Sequence, residues 1–158
     1  MKTLSFRALA LVVVVLLFSG CITLTDITNG NDQMHLGNYQ VGATYRLRQD
    51  ASLAEFGWRG SLPPFASTPS HALYPLTSHW SPAQGTVAAG THLRFQKVLY
   101  LTYVEDETTF PIAVILDGRY AGMQVGLQDI SHRELISSAV APKNRFLVDP
   151  QWLEKDRR

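Results

Sequence analysis

Apolar and polar residues alternate along the second half of this chain. In THLRFQKVLYLTYV, residues 91–104, the odd positions from 93 onward are apolar except for Lys97. In TFPIAVILDG, residues 109–118, the even positions 110 to 116 are apolar, and residues 123–127 alternate again. A period of two is typical of half-buried strands, and the polar segments EDET and DG indicate short turns between them. The pattern predicts a three-stranded antiparallel meander.

The same alternation predicts which side chains form the core. One face of the three strands would bury eight apolar residues together: Leu93, Phe95, Leu99, Leu101, Ile112, Val114, Val125 and Leu127. The intervening residues of the first strand, His92, Arg94 and Gln96, would tolerate alanine because they face solvent. Pro111 lies on the opposite parity and cannot donate a ladder hydrogen bond, which predicts an edge position or a β-bulge.

A long segment rich in proline separates this meander from an earlier strand, TYRLRQ, at residues 44–49. Five of the eight prolines lie between residues 61 and 86. Proline fixes φ and removes a hydrogen-bond donor, so we expect a long loop rather than a central strand or a helix. This loop carries three aromatic residues, Phe65, Tyr74 and Trp80, and aromatic residues favour a loop that lies on the domain.

Two short helical turns are predicted near the C-terminus. Ser131 and Glu134 have the spacing of a capping box, which predicts a brief helix that ends before Pro142. RFLVD, residues 145–149, is predicted to be the last strand. The dipeptide DP at residues 149–150 then predicts a final helical turn, since aspartate caps and proline suits the first helical position.

Five strands in this order, with a long first loop and a brief helical turn before the last strand, resemble an SH3-like small barrel. ILDGRYAGMQVGL, residues 115–127, is similar to the hairpin of such folds, where glycines permit tight turns. The predicted fold class is therefore mainly β: a small antiparallel SH3-like barrel or meander with a long Pro-rich loop and short helical turns.

The N-terminal segment has a different pattern. Lys2 and Arg7 precede a continuous apolar run at residues 8–18, which is followed by two small residues and Cys21. A helix of this length is about 16 Å long at ~1.5 Å per residue, too short for a bilayer core of about 30 Å. A positive start, a short apolar run and small residues at the end are typical of a cleaved secretory signal. The alternative, a buried valine-rich strand, does not explain the charges and the small residues together.

LFSGC, residues 17–21, resembles the lipobox of bacterial lipoproteins. In that family the signal is cleaved before the cysteine, whose sulfur carries a diacylglycerol and whose new amine is usually acylated. The resemblance implies a signal peptide at residues 1–20 and lipidation of Cys21, the only cysteine. Two or more acyl chains hold a protein firmly at a membrane. Phe18 departs from the leucine that the family prefers. Ile22 after the cysteine implies the outer membrane, facing the periplasm, if the host is Gram-negative.

The mature chain would be nearly neutral. Cleavage removes Lys2 and Arg7 and no acidic residue, so the formal charge falls from +1 to −1. Without a basic run, nucleic acid is not an expected partner. Residues 21–38 are polar with little periodicity and are predicted to be a flexible lipidated tether. Residues 39–158 are predicted to be a single β-rich domain.

The sequence contains no strong motif for catalysis or metal binding. The histidines form no HExxH or compact ligand set: His35, His71, His79, His92 and His132. No GxSxG elbow presents a serine, and adjacent Ser70 and His71 are not expected to face each other. Glu105 and Glu107 are expected to be solvated in a turn. We therefore expect no enzyme activity, no metal and no cofactor apart from the lipid on Cys21.

Two functions remain open. The first is a membrane-anchored envelope lipoprotein that serves as a structural or protein-interaction module, which predicts an exposed apolar patch. The alternative is a module that binds cell-wall peptide or glycan, as bacterial SH3-like domains often do, which predicts a groove with aromatic walls. Tyr74 and Trp80 are predicted to border the functional surface, because such rings concentrate binding energy. The alternative for these rings, together with Phe65, is that they plug the core.

Overall fold

The computed structural model of the chain describes residues 23–28, 37–56, 69–78, 83–103, 106–136 and 144–156. In these ranges the protein is mainly β, as predicted, and its helical content is one 3₁₀ turn at Gln128–Ile130. Within these described ranges, eleven strands join one sheet. They are β1 (Thr23–Asp26), β2 (Thr44–Leu47), β3 (Ala51–Glu55), β4 (His71–Pro75), β5 (Gly85–Val87), β6 (His92–Tyr103), β7 (Asp106–Ile115), β8 (Gln124–Gly126), β9 (Ser131–Leu135), β10 (Asn144–Val148) and β11 (Leu153–Lys155).

The sheet is a curled, open half-barrel built around one long hairpin, β6–β7. Its main strand order is β11–β2–β6–β7–β8–β4–β3–β5. On the outer side of β6, β2 pairs with the start of the strand and β1 with its end. On the outer side of β7, β8 pairs near the end of the strand and β10 near its start, and β9 lies beyond β10. Each long strand therefore carries two short strands in tandem.

The predicted meander is confirmed. β6 and β7 pair antiparallel from Leu93 and Ile115 to the far end of both strands, and β7 pairs antiparallel with β8. The connection between β7 and β8 turns at Gly118 and Gly122, whose φ angles are +74° and +87°. These values lie in the left-handed region, where a side chain is unfavourable. The glycines predicted to permit a tight turn therefore do so.

A β-bulge divides β6 into two halves that face different cores. Phe95 lies opposite Ala113 and Lys97 lies opposite Ile112, so Gln96 has no partner in β7. One unpaired residue reverses the parity that faces each side of a sheet. The odd positions of β6 before the bulge therefore face one side, and the odd positions after it face the other.

The predicted core residues are all buried, but they do not lie together. Leu93 and Phe95 belong to the larger hydrophobic cluster, with residues from most of the sheet. Leu99 and Leu101 belong to a second cluster with Phe110 and Ile112. The prediction of one shared apolar face was wrong, because the sequence pattern does not reveal an inserted residue.

Pro111 lies inside a central strand rather than at an edge, one residue pair from the bulge. Its carbonyl accepts a hydrogen bond from Leu127 N–H at 2.9 Å, and its nitrogen faces the same neighbour. The Leu127 carbonyl, which receives no donor from proline, instead accepts from the Ser131 hydroxyl at 2.6 Å and the Ile130 N–H at 3.1 Å. The hydroxyl of buried Tyr39 lies 2.6 Å from Ser131 Oγ. The proline is tolerated because the Ser131 hydroxyl and the Ile130 N–H supply the Leu127 carbonyl with donors in place of the missing one.

Residues 131–135 form β9, so the predicted helix after Ser131 is wrong. Glu134 binds Arg145 on β10 at 2.6 Å instead of reaching back to a helix cap. The pairing of β9 with β10 outweighs the local capping pattern. After β10, Asp149 does cap a turn, since its Oδ1 accepts the Gln151 N–H at 2.8 Å, but the chain continues as β11.

The predicted Pro-rich loop contains a central strand. β4 lies between β3 and β8, and its Leu73 is fully buried. Within β4 the only proline is Pro75, which ends the strand. The prediction of a continuous loop was therefore wrong for residues 71–75. Residues 57–68 and 79–82, which include Phe65 and Trp80, lie outside the described residues.

Part of the predicted tether also belongs to the sheet. β1 pairs antiparallel with β6, from Thr23 opposite Thr102 to Asp26 opposite Leu99. Its Leu24 packs against the second hydrophobic cluster. Residues 23–26 are therefore a strand rather than a flexible segment. The predicted signal peptide and Cys21 lie outside the described residues. Within the part of the chain that the structure describes, we find no helix with the length and hydropathy of a membrane span.

Candidate functional site

A cleft of about 720 Å³ lies where the central hairpin opens. Four segments form its walls: the turn before β2, the first residue of β6, the residues that follow β7, and the C-terminal end of β11. The lining residues are Gln40, Val41, Gly42, Ala43, Thr44, His92, Leu116, Asp117, Lys155 and Asp156. These lining residues include no Phe, Tyr or Trp.

The turn before β2 forms one wall because backbone hydrogen bonds dock it on β6. Gly42 N–H donates to the Phe95 carbonyl at 2.9 Å, and Ala43 N–H donates to the Gln40 carbonyl at 3.0 Å. Gly42 has a φ of +79°, which favours glycine at this position. The tight turn leaves the Val41 side chain at its tip, where the residue is 52% exposed.

His92 and Asp117 form the polar centre of the cleft. His92 Nδ1 lies 2.6 Å from Asp117 Oδ2, and the His92 backbone N–H donates to Asp117 Oδ1 at 3.0 Å. Partial burial alone would raise the pKa of the Asp117 carboxyl, but the hydrogen bonds and charge of His92 outweigh it and lower the pKa. Asp117 is therefore an ionised carboxylate at neutral pH, and it holds the imidazole in one orientation.

The C-terminal end of β11 supplies charges of both signs. Asp156 N–H donates to the Thr44 carbonyl at 2.9 Å, which keeps this end of the chain beside β2. The Lys155 ammonium donates to the Gln40 amide oxygen. The cleft therefore presents one ammonium, two carboxylates and a histidine around the two apolar side chains Val41 and Leu116. Leu116 is 39% exposed.

A second depression, of about 570 Å³, lies beside Arg46 and Arg48. Both guanidinium groups contact Glu154 Oε2, at 3.0 Å and 3.6 Å. About half of each side chain is exposed, so these ion pairs contribute little to stability. Because Glu154 offsets one of the two positive charges, this depression is a weaker candidate for an anion site than the two arginines alone suggest.

The described residues include no group of three or more His, Cys, Asp or Glu side chains arranged to hold a metal ion. Our expectation that the protein needs no metal or cofactor stays a prediction. Of the residues predicted to border the functional surface, Tyr74 is 4% exposed, and its hydroxyl donates to the Glu55 carbonyl at 3.2 Å. Its ring packs with Ala54, Ala72 and Phe56, which agrees with the alternative that it plugs the core. Trp80 lies outside the described residues and stays a prediction.

Sequence reasoning did not identify the cleft. It interpreted Asp117 as a turn residue and His92 as a residue that tolerates alanine. The walls come from residues near 40, 92, 117 and 155, and only the pairing of β2, β6, β7 and β11 brings them together.

No protein-family model, curated protein or solved structure matches this chain.

Proposed function

We propose that this protein is a lipid-anchored lipoprotein of the bacterial envelope, and that its β domain binds a protein partner through the cleft at His92 and Asp117. The observation that carries the binding role is the exposure of Val41 and Leu116 on the cleft walls. Exposed apolar side chains surrounded by polar groups are typical of protein–protein interfaces.

The anchor rests on the N-terminal sequence. A short apolar run after two basic residues ends in small residues and Cys21, which supports cleavage and lipidation at that cysteine. The envelope location, and the outer membrane in a Gram-negative host, follow from this signal. The resemblance to SH3-like barrels is part of the same proposal, supported by the curled sheet and the tight glycine turn between β7 and β8.

The position of β1 supports a cleft that faces away from the lipid. Thr23, two residues after Cys21, lies opposite Thr102 near one end of β6, whereas the cleft lies at His92 on the other end. Ten residues of strand span about 33 Å at ~3.3 Å per residue. A lipid on Cys21 would therefore hold the cleft some distance from the membrane surface, where an envelope protein can reach it.

The chemistry of the walls favours a protein over a cell-wall ligand. Glycans and small ligands are commonly held by Phe, Tyr or Trp rings, and the described lining of the cleft contains none of these. The mixture of one ammonium and two carboxylates beside two aliphatic side chains suits a polypeptide segment that carries both charges and an apolar side chain.

Site-specific photocrosslinking in cells tests this proposal. A benzophenone amino acid replaces Val41 or Leu116 in the full-length protein, and matched variants carry it at Leu76 or Leu135, which are 56% and 75% exposed. We expect positions 41 and 116 to yield the same protein adduct and positions 76 and 135 to yield none. Equal adducts at all four positions, or none at 41 and 116, would refute the cleft as an interface. Val41-dependent retention on purified peptidoglycan would instead support the cell-wall alternative.

A further inference from the structure

Four side chains form one hydrogen-bonded chain across β3 and β4, away from the cleft. Ser70 Oγ lies 2.8 Å from His71 Nδ1, and His71 Nε2 lies 2.7 Å from Gln84 Oε1. Gln84 Nε2 lies 3.4 Å from Glu55 Oε1. The expectation that Ser70 and His71 do not face each other is therefore wrong.

The backbone explains why these neighbours converge. Ser70 lies in a bend just before β4 begins, so the alternation of a strand does not separate its side chain from that of His71. The Ser70 carbonyl accepts the Phe56 N–H at 2.9 Å, which holds the bend against the end of β3. His71 lies opposite Glu55 in the ladder. Gln84 is held beside them because its N–H donates to the Leu53 carbonyl at 2.8 Å.

The donor and acceptor of each hydrogen bond can be assigned by starting from the Glu55 carboxylate. An ionised carboxylate only accepts, so the Gln84 amide nitrogen donates to Glu55 and the amide oxygen faces His71. His71 Nε2 must then carry the proton that it donates to this oxygen. His71 Nδ1 is left with a lone pair, which accepts the proton of the Ser70 hydroxyl. These hydrogen bonds thus select the His71 tautomer whose unprotonated Nδ1 can act as a base toward Ser70.

We propose that Ser70 is a nucleophile activated by His71, with Gln84 as the positioning residue, and that the site takes carboxylic esters. A hydroxyl in contact with a base, which a third group orients, is the arrangement that activates serine. Ser70 is exposed and His71 is partly exposed, so an ester can reach the hydroxyl directly. This activity goes beyond the proposed interaction at the cleft and does not depend on it.

The proposed reaction is hydrolysis in two balanced steps. Ser70 Oγ forms a bond to the ester carbonyl carbon while its proton passes to His71 Nδ1. The imidazolium gives this proton to the departing alkoxide as the C–O bond breaks, which releases an alcohol and leaves an acyl-serine. A water molecule then attacks the acyl group, again with proton transfer through His71, and releases the carboxylic acid and free Ser70.

A fluorophosphonate probe tests the nucleophile in the full-length protein in detergent micelles. The Ser70 oxygen would form a bond to phosphorus, fluoride would leave, and the proton would pass to His71. We expect mass spectrometry to locate the phosphonyl group on Ser70. General-base catalysis typically contributes 10²–10⁴-fold, so His71→Gln should slow labelling by roughly 100-fold or more. The matched variant His132→Gln should label at the wild-type rate.

The positioning role has its own test. Gln84→Ala should slow labelling, and the double variant Glu55→Gln with Gln84→Glu should restore much of the rate, because it exchanges the two groups but keeps an acceptor toward His71. A structural role alone would not give this rescue. Wild-type protein that is not labelled at Ser70, or labelling that His71→Gln leaves unchanged, would overturn the proposal. Hydrolysis of 4-nitrophenyl acetate that requires Ser70 would extend the result from the probe to an ester.

Discussion

His92 and Asp117 are joined by two hydrogen bonds across the open end of the central hairpin, one from the imidazole at 2.6 Å and one from the backbone N–H at 3.0 Å. A third bond, from Leu116 N–H to the His92 carbonyl at 2.8 Å, lies beside them. Together they fix the residues that follow β7 against the start of β6. This arrangement holds Leu116 on the wall of the cleft.

The first prediction concerns how the stability of the fold depends on the ionised Asp117 carboxylate as the pH falls. A carboxyl whose pKa is lowered in the folded state stabilises the fold above its unfolded pKa, near 3.9 for aspartate, and this stability is lost as the pH falls through the lowered value. The pKa of Asp117 is lowered. We expect Asp117→Asn to have a lower Tm than wild type near neutral pH, and the difference to shrink as the pH falls below about 4.

Thermal melts of both proteins between pH 2 and 7 measure this difference. The matched variant Asp50→Asn changes a carboxylate that accepts a backbone N–H from Ala89, away from His92. Adding His92→Gln should reduce the effect of Asp117→Asn but not that of Asp50→Asn. A difference for Asp117→Asn that stayed constant to pH 2 would show that the pair with His92 does not act through the charge of the carboxylate.

The second prediction concerns the core. Leu101 is buried in the second cluster, so Leu101→Ala should lower the free energy of unfolding by roughly 2–5 kcal/mol. Arg94 is exposed on the same strand, and Arg94→Ala should change it by about 0.5 kcal/mol or less. Urea unfolding of the two variants gives both values. Equal losses for the two variants would mean that Leu101 does not contribute to a packed second cluster.

The third prediction concerns the bulge. Deletion of Gln96 removes the unpaired residue, so one half of β6 must turn its apolar side chains to the wrong face. We expect the deletion variant to lose several kcal/mol of stability or fail to fold, because several buried side chains are displaced at once. Gln96→Ala keeps the backbone and removes only a hydrogen bond from Gln124 at 2.8 Å, so it should melt close to wild type. Circular dichroism melts compare them, and a stable deletion variant would contradict the bulge.

The fourth prediction concerns the anchor. Cys21→Ser should abolish labelling with radioactive palmitate and release the protein from the membrane fraction, because no acyl chain remains to bury methylene groups. A cysteine introduced by Ser78→Cys in the Cys21→Ser protein should not restore labelling, since lipidation depends on the signal before Cys21. Unchanged membrane fractionation of Cys21→Ser would rule out the lipid anchor.

The central meander could be predicted from local sequence, because alternation is a local property. Along most of a strand each residue points opposite to its neighbours, whatever the rest of the chain does. The turn at Gly118 and Gly122 is equally local, because only glycine adopts positive φ without strain. The proposed signal and Cys21 also depend on adjacent residues alone.

Features that depend on a distant partner in the chain could not be predicted from local sequence. The bulge at Gln96 exists only in relation to β7, and it reversed the predicted faces of half a strand. Residues 131–135 have a helix-capping pattern, yet pairing with β10 makes them a strand. The cleft and the contact between Ser70 and His71 also came from the fold, because strand pairing and a backbone bend bring side chains together in ways that local periodicity does not encode.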